Sequence, residues 1–472
     1  MIDFKSNAPP PVRFRTAGGV GKSPPATGRR GWRVCFRLLA AALICMAPWF
    51  MAGAQENRPV ALGEATTDPS QDIIIEGLGF SKLILAIRAG EKIAKTGGYG
   101  RIQRLLEKNL CWSGVFNLSG GVSEFCRLRG KPKRVDMRLT LSLEKRRGVL
   151  RLYDTGPEKL KLFEEAFALG KTVGEWRIMM MINRLTKRIT GQPGLLGSTI
   201  GFVLRQPGYA KVIVHTNTHG RVLRLLSQHD DINILPRFAP HGRGMVYTVL
   251  GRRGSHVFYK NLRPKAKNIP QSHFLTPPGT LNSGGAFSPD GRRIVVTMSV
   301  NQNADLFLFD LMRKRHYQLT TRSGIETQAH WSPDGKKLIF VSDRSGTPQI
   351  YLMDMKKRED VRLTFEAKYN ADPKWSPDGK SILFTRRYRG IDQIHIMDQF
   401  GAEARMVSRG RFYSEQAEWS PDGRQIVFAS NRTGEFKLYI VSADGSNLRR
   451  LTNTKRGFEE NSPTWTSRKQ FR

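Results

Sequence analysis

The sequence predicts a mainly β protein, a six-bladed β-propeller preceded by a small α+β domain. The first observation is a repeat in the second half of the chain, where an aromatic-Ser-Pro-Asp-Gly segment recurs every 44 residues at Phe287, Trp331, Trp375 and Trp419. The second is that each repeat contains four short segments of strand-like alternation separated by turns. A period of about 40–45 residues with four strands per repeat is typical of propeller blades.

The first 54 residues predict a leader with a secretory signal peptide. Arg29, Arg30, Arg33 and Arg37 precede an apolar run from Leu38 to Met51, and Ala52-Gly53-Ala54 follows it. This combination of basic residues, a short apolar run and small residues at its end is typical of a signal peptide and predicts cleavage after Ala54. An uncleaved membrane anchor is the alternative. The Arg29-Arg30 pair leaves twin-arginine export open beside general secretion. Residues 55–71 are polar and predict a flexible mature N-terminus.

Export changes how the cysteines and the charge are interpreted. Only Cys111 and Cys126 remain after the leader is removed, and they are either a disulfide or two buried thiols. The whole chain has 77 Lys and Arg against 40 Asp and Glu, a formal net charge of +37. Such an excess favours an anionic partner, but an exported protein does not ordinarily meet cytoplasmic nucleic acid, so we expect no nucleic-acid partner. No His/Cys spacing suggests a zinc site, and no cofactor is predicted.

Residues 72–191 predict the α+β domain. A capping box at Thr172-Val173-Gly174-Glu175 is expected to open its last helix, which runs through Trp176 to Ile189 and ends at Gly191. The predicted elements before it are a strand at Asp72–Glu76, a helix at Ile102–Leu110, and strands at Val115–Leu118, Arg134–Leu143, Val149–Tyr153 and Glu164–Leu169.

Residues 192–472 predict the propeller. A degenerate copy of the repeat begins at Phe238, and Trp465 begins a last first strand with nothing after it. Strands at Ile200–Leu204, Lys211–His215 and Arg221–Leu226 lack a first strand of their own. We therefore expect the strand at Trp465 to join them and close a ring of six blades. The repeated aromatic side chains are expected to pack between blades rather than to stack on a ligand.

A signal peptide, a small α+β domain and a propeller of these repeats resemble the TolB family, the periplasmic component of the Tol–Pal system. Ile102–Phe116 and Leu185–Gly191 are similar to that family's first-domain helix and its junction before the propeller. The resemblance implies a periplasmic protein without catalytic activity. It also implies that the lipoprotein Pal binds at the propeller mouth and TolA at the N-terminus, in support of outer-membrane integrity and constriction at cell division.

The loops that lead into each first strand open on one face and offer polar side chains five residues before the aromatic. We predict that these residues and their neighbours form a polar, partly acidic ring that binds the partner: Asn282, Ser283, Glu326, Thr327, Asn370, Asp372, Ser414, Glu415, Glu460 and Asn461.

Two other functions are kept as alternatives. A lactonase- or glycosidase-like propeller enzyme would place carboxylates in the channel, and Glu326, Asp372 and Glu415 would supply them. The sequence has no GxSxG elbow, HExxH or P-loop pattern. A basic protein that binds an anionic envelope surface is the second alternative, motivated by the charge and by clusters at Arg127–Arg134, Arg184–Arg188 and Arg386–Arg389.

Overall fold

The computed structural model describes residues 82–89, 99–119, 135–144, 147–168, 174–208, 211–220, 222–227, 231–252, 254–263, 271–277 and 281–467. These residues form the predicted six-bladed β-propeller and an α+β domain before it. The predicted leader, the predicted mature N-terminus and the predicted strand at Asp72–Glu76 lie outside them.

The α+β domain is a five-stranded sheet with two helices. Its strands follow the order β2-β1-β3-β4-β5, with β1 parallel to β2 and β3 and the other neighbours antiparallel. The core between the helices and the sheet is built from buried Leu, Ile, Met and Phe side chains. The elements are β1 (Leu83–Ala89), α1 (Tyr99–Trp112), β2 (Phe116–Ser119), β3 (Met137–Glu144), β4 (Arg147–Asp154), β5 (Lys161–Ala168) and α2 (Glu175–Thr190).

Helix α2 ends as predicted but does not begin as predicted. Its N-cap is Gly174, without a side-chain cap hydrogen bond, so the predicted capping box is wrong. At the other end Gly191 is left-handed, with φ of 68°, and its N–H donates to the carbonyl of Lys187. Strand β1 was not predicted from the sequence; it lies between β2 and β3 in the sheet.

Each blade is a four-stranded antiparallel sheet, and the C-terminal strand closes the ring as predicted. Strand β29 pairs with β6, so that the last and the first strands of the propeller share blade six. Blade one contains β9 (Ile232–Phe238), β10 (Gly244–Gly251), β11 (Gly254–Asn261) and β12 (His273–Phe274); blade two β13 (Asn282–Phe287), β14 (Arg293–Val300), β15 (Asn303–Asp310) and β16 (Arg315–Gln318); blade three β17 (Glu326–Trp331), β18 (Lys337–Ser342), β19 (Gln349–Asp354) and β20 (Asp360–Arg362); blade four β21 (Asn370–Trp375), β22 (Ser381–Tyr388), β23 (Ile391–Asp398) and β24 (Arg405–Met406); blade five β25 (Ser414–Trp419), β26 (Gln425–Ser430), β27 (Lys437–Ser442) and β28 (Arg449–Arg450); blade six β29 (Glu459–Thr466), β6 (Thr199–Arg205), β7 (Val212–Asn217) and β8 (Val222–Leu225).

The repeated Pro-Asp-Gly turn stacks each blade on the one before it. The turn glycine is left-handed in every clear copy; in blade three, Gly335 has φ of 70°, a conformation that glycine adopts without strain. An added Cβ there would lie 3.6 Å from Pro289, the equivalent proline of blade two. The aromatic residues pack between blades as expected: Trp331 is 3% exposed, and its indole N–H donates to the carbonyl of Ala286 in blade two at 3.2 Å.

A bulge recurs in the innermost strand of every blade. The residue three before the aromatic is left-handed in all six, with φ between 50° and 71°. An extra residue at this point reverses which face of the strand each earlier side chain occupies. The bulge residues are Leu235, Gly284, Gln328, Asp372, Gln416 and Ser462.

The α+β domain docks on blades five and six at the end of the propeller that carries the Pro-Asp-Gly turns. The Lys82 ammonium donates to Ser442 Oγ at 2.6 Å and to Ser446 Oγ at 2.7 Å in a loop of blade five. The Trp112 ring lies 4.8 Å from the His219 ring of blade six and 4.2 Å from the Arg449 guanidinium. These contacts fix the first domain away from the opposite end of the channel.

Candidate functional site: the central channel

The channel opens into a cavity of about 440 Å³, which we call the mouth, at the end opposite the α+β domain. Its wall is formed by the beginnings of the first strands and by the loops beside them. Both polar and apolar side chains line it. The lining includes Leu235, Ser283, Thr327, Gln328, Asp343, Tyr369, Ala371, Glu415, Gln416, Glu459, Asn461 and Ser462.

Half of the predicted ring lies inside the blades. The five predicted residues that stand five positions before an aromatic are each at most 1% exposed, so the expectation that they lie in loops and offer their side chains to a partner is wrong. Each is the first or second residue of its innermost strand rather than part of a loop. We call them the buried ring residues: Asn282, Glu326, Asn370, Ser414 and Glu460.

The buried ring residues hold strands together. Glu326 accepts a hydrogen bond from Ser342 Oγ at 2.7 Å, and the Asn370 amide donates to Gln349 Oε1 at 2.9 Å. Glu460 joins two blades, because its carboxylate accepts from the backbone N–H of Leu438 at 2.8 Å in blade five. Burial raises the pKa of Glu326 to about 7, against the opposing effect of the Ser342 hydrogen bond.

The other predicted residues do face the channel. Ser283, Thr327, Glu415 and Asn461 line the mouth, and Asp372 lies deeper, where the channel narrows. Burial, followed by the repulsion of Asp392 and Asp372, raises the pKa of Glu415 to about 8. Near neutral pH the mouth therefore carries a largely protonated carboxyl at this position and is less acidic than the sequence suggested.

Below the mouth, a charged cluster crosses the channel. Arg237 of blade one extends to Asp372 of blade four, with 3.6 Å between guanidinium and carboxylate, and to Glu418 of blade five at 4.0 Å. The Lys374 ammonium bonds to the same carboxylate of Asp372 and is 2% exposed. His330 of blade three accepts the backbone N–H of Trp375 on Nδ1 at 3.2 Å. Two cations and two carboxylates thus compensate each other within the cluster, as buried charges require.

The electrostatics of the cluster follow from its burial. Burial lowers the pKa of Lys374, and the attraction of Asp372 opposes this effect. The pKa of Glu418 is raised by burial, against the attraction of Arg237 and Lys374. Burial, with the nearby cations Lys374 and Arg237, lowers the pKa of His330 well below its ordinary value. His330 is therefore neutral and acts as a hydrogen-bonding group rather than as a charge.

Beyond the cluster, the channel leads to a second cavity of about 270 Å³. Arg237, His330 and Glu418 line it, and so do the aromatic rings of Phe287 and Trp465. The charged cluster therefore lies between two cavities, one at each end of the channel.

The charged cluster was not predicted from the sequence, although a periodic signal marks it. The residue immediately before the aromatic is ionisable in four of the six first strands: Arg237, His330, Lys374 and Glu418. The last three are spaced by the 44-residue period. Charged residues at one register position of strands that are otherwise buried indicate a set of side chains that meet at the propeller axis.

The remaining predictions concern cysteines, metals and membranes. Cys111 is buried and disulfide-bonded; its predicted partner Cys126 lies outside the described residues, so that pairing stays a prediction. Within the described part of the chain, no group of three or more His, Cys, Asp or Glu side chains is arranged to hold a metal ion. Among the same residues, none of the helices has the length and hydrophobicity needed to cross a bilayer.

Comparison with known proteins gives consistent matches. The TolB beta propeller domain family matches residues 186–469. The chain is 28% identical over 179 residues to the Tol-Pal system protein TolB of Wolbachia sp. subsp. Drosophila simulans, which is 36% of this chain and 41% of that protein. It is 31% identical over 172 residues to the Tol-Pal system protein TolB of Desulfotalea psychrophila, 34% of this chain and 38% of that protein. The chain thus spans about two fifths of the length of these relatives.

A solved structure is similar over a larger share of the chain. The crystal structure of TolB from Acinetobacter baumannii superimposes with a TM-score of 0.64 and 25% sequence identity. The match covers 81% of this chain and 96% of that one. It therefore extends beyond the propeller into the α+β domain.

Proposed function

Because the chain belongs to the TolB β-propeller family, we propose that it is a non-catalytic binding protein of a Tol–Pal system in the periplasm. In this proposal the mouth binds a Pal-like lipoprotein, and the N-terminal segment, residues 55–71, engages a TolA-like inner-membrane protein. The protein then links the layers of the envelope and supports outer-membrane integrity and constriction at cell division.

The observation that carries the proposal is the mouth itself. Its volume of about 440 Å³ is large enough to admit side chains of a partner loop, and uncharged polar side chains such as Ser283, Thr327 and Asn461 line it. The charged cluster below it is internally compensated. A partner loop would therefore find hydrogen-bonding groups at the mouth without having to neutralise a deep charge.

The same geometry disfavours the enzyme alternative. Glu326 is fully buried and bonded to Ser342, and Asp372 is paired with Lys374 and Arg237. Neither carboxylate can take part in acid or base chemistry on a bound substrate without first losing these partners. Only Glu415, of the three carboxylates considered as catalytic, faces the mouth.

The test is calorimetric titration of the chain from Gln55 onward with the soluble domain of a Pal-like lipoprotein from the same organism. The variants Thr327→Arg and Asn461→Arg each place a bulky cation in the mouth. Val361→Arg, on the exposed outermost strand of blade three, adds the same charge elsewhere and is the matched control. We expect at least a tenfold loss of affinity in the mouth variants and a change within twofold in the control.

Two results would contradict the proposal. The first is the absence of binding to the unaltered chain, and the second is equal loss in the mouth variants and the control. Deleting residues 55–71 tests the N-terminal role separately: binding of a TolA-like domain should be lost while the Pal-like domain still binds. If the deletion leaves the TolA-like interaction intact, the role proposed for this segment is wrong.

A further inference from the structure

The end of the propeller opposite the mouth is only partly covered. Two sets of loops meet there, those between the first and second strands and those between the third and fourth strands of each blade. The α+β domain contacts this end at blades five and six, through the loop at Ser442–Ser446 and through His219. The corresponding loops of blades one, two and three lie outside these contacts.

These loops carry many exposed cations. Among the described residues of these loops, nine Lys and Arg side chains are exposed, and none of the nine forms an ion pair with another described residue. Several occupy equivalent turn positions, such as Arg292 in blade two and Lys336 in blade three. We call this surface the basic face: Arg243, Arg263, Arg292, Arg313, Lys314, Lys336, Lys356, Lys357 and Arg358.

The acidic side chains of the same loops are turned toward their own backbone. Asp310 accepts the N–H groups of Met312 and Arg313 at 3.0 and 2.9 Å, and Asp354 accepts those of Lys356 and Lys357 at 2.8 and 2.9 Å. The Arg313 N–H holds the pKa of Asp310 below its ordinary value. With Asp290, Asp334 and Glu359, the described residues of these loops have five acidic side chains against nine exposed cations, a net charge of +4. The cations extend outward while these two carboxylates cap the loops.

An apolar side chain is exposed among the cations. Met312 is 65% exposed at the tip of the β15–β16 loop, directly before Arg313 and Lys314. A large apolar side chain exposed between cations has no role in the packing of its own blade, which buries Leu311 at 5% exposure instead. Cations that surround an exposed apolar residue are the combination that peripheral proteins present to anionic lipid.

We propose that the basic face docks on an anionic phospholipid bilayer. The cations come from equivalent loops of three successive blades, so they lie at one level around the ring and can meet a flat surface together. Met312 lies at the same level and can enter the interface between headgroups and acyl chains. Loop tips at one level fit a planar lipid surface better than they fit a polymer that binds in a groove.

Docking in this way orients the mouth. The mouth and the basic face are at opposite ends of the channel, so a chain held by its basic face presents the mouth away from the bilayer. This consequence rests on the proposed function, because the mouth is there assigned to a lipoprotein of another envelope layer. The binding of the bilayer itself does not depend on that assignment.

The test is co-sedimentation of the chain from Gln55 onward with vesicles of phosphatidylglycerol and phosphatidylcholine in equal parts, at 50 and 500 mM salt. The chain from Gln55 keeps every described residue, whereas the basic and apolar leader would bind vesicles by itself. The test variant carries Arg313→Gln, Lys314→Gln and Lys356→Gln. Each cation near an anionic surface contributes about fivefold to the partition coefficient, so we expect a loss of at least tenfold.

The matched control removes three exposed cations from loops at the mouth end: Lys368→Gln, Arg409→Gln and Arg411→Gln. It has the same net charge as the test variant and should keep its partition coefficient within twofold. Met312→Ser, which leaves the charge unaltered, should lower vesicle binding by about fivefold. High salt should weaken binding of the unaltered chain strongly.

Equal losses in the two triple variants would overturn the assignment to this face, and so would the absence of vesicle binding at 50 mM salt. Binding to soluble heparin without binding to vesicles would also overturn it, in favour of a polymeric partner. The Pal-like domain provides an independent readout. If it fails to bind while the vesicle result holds, the proposed function fails and the docking surface stands.

Discussion

The buried ring residues should control the stability of the propeller rather than its affinity for a partner, and Glu460 provides the sharpest test. This residue lies on β29, the strand that closes the ring. Its carboxylate accepts hydrogen bonds from the Leu438 N–H at 2.8 Å, from the Thr452 hydroxyl and from the Thr454 hydroxyl at 2.6 Å. Replacing Glu460 by Ala removes all three hydrogen bonds at the contact between blades five and six.

The magnitude follows from the number and kind of these bonds. A hydrogen bond to a charged group contributes about 1.5–3 kcal/mol, and a buried N–H left without an acceptor costs about 1–3 kcal/mol. The two hydroxyls can rotate toward other acceptors, whereas the Leu438 N–H is fixed by the strand. We therefore expect Glu460→Ala to lower the free energy of unfolding by about 4 kcal/mol, or the Tm by about 8 °C for a chain of this size.

The matched control is Ser414→Ala, at the equivalent position of blade five. Ser414 makes one hydroxyl–hydroxyl bond, to Ser430 at 3.1 Å, so its loss should cost about 1 kcal/mol. Both variants are measured by urea unfolding and by calorimetric binding of the Pal-like domain. Equal stability losses would refute the hydrogen-bond argument. A loss of binding in folded Glu460→Ala without a loss of stability would refute the structural role.

Three further predictions concern the domain contact, the charged cluster and the mouth. Trp112→Ala should lower the free energy of unfolding by about 3 kcal/mol, because the buried ring area and the cation–π contact with Arg449 are lost. Thermal unfolding measures the loss of stability, and limited proteolysis reports whether the first domain is released from the propeller. Unchanged proteolysis would count against the docking contact. Arg237→Met should lower the free energy of unfolding, measured in urea at pH 7, by about 2 kcal/mol. The loss is smaller than for a fully buried ion pair because Arg237 is partly exposed. An unaltered midpoint of the urea transition would show that the cluster does not need Arg237. The pKa of Glu415 is raised from 4.5 to about 8 in the folded state, so this group makes the protein less stable as pH rises through that interval. Glu415→Gln should therefore reduce the fall in Tm between pH 5 and pH 8, and an unaltered pH profile would contradict the assigned pKa.

The repeat in the second half of the chain allowed the propeller architecture to be predicted from the sequence. The 44-residue spacing predicted the blades. The isolated innermost strand at Trp465 predicted how the ring closes, because it pairs with the three strands at the start of the propeller that have no innermost strand of their own. The turn glycines and the Gly191 cap were also predictable, because each needs a left-handed backbone conformation that glycine adopts without strain. These features depend on local backbone geometry, which a short stretch of sequence specifies.

The position of the functional side chains was less predictable, and the bulge explains why. We expected Glu326 in a loop at the mouth, but the first strand of its blade already begins at Glu326 and contains a left-handed residue at Gln328. The extra residue reverses the faces, so that Glu326 lies inside its blade while Thr327 faces the channel. The left-handed positions are occupied mainly by residues other than glycine, so sequence composition did not mark them.

The sequence by itself determined the number of blades, their order and the strand that closes the ring, because these follow from spacing along the chain. The tertiary structure alone decided which charges meet. Arg237 lies 135 residues from Asp372 in the sequence and yet extends to it across the axis, and the first domain covers blades five and six while leaving the basic face open. Such contacts depend on how six twisted sheets are arranged around one axis, and no local pattern in the sequence records that arrangement.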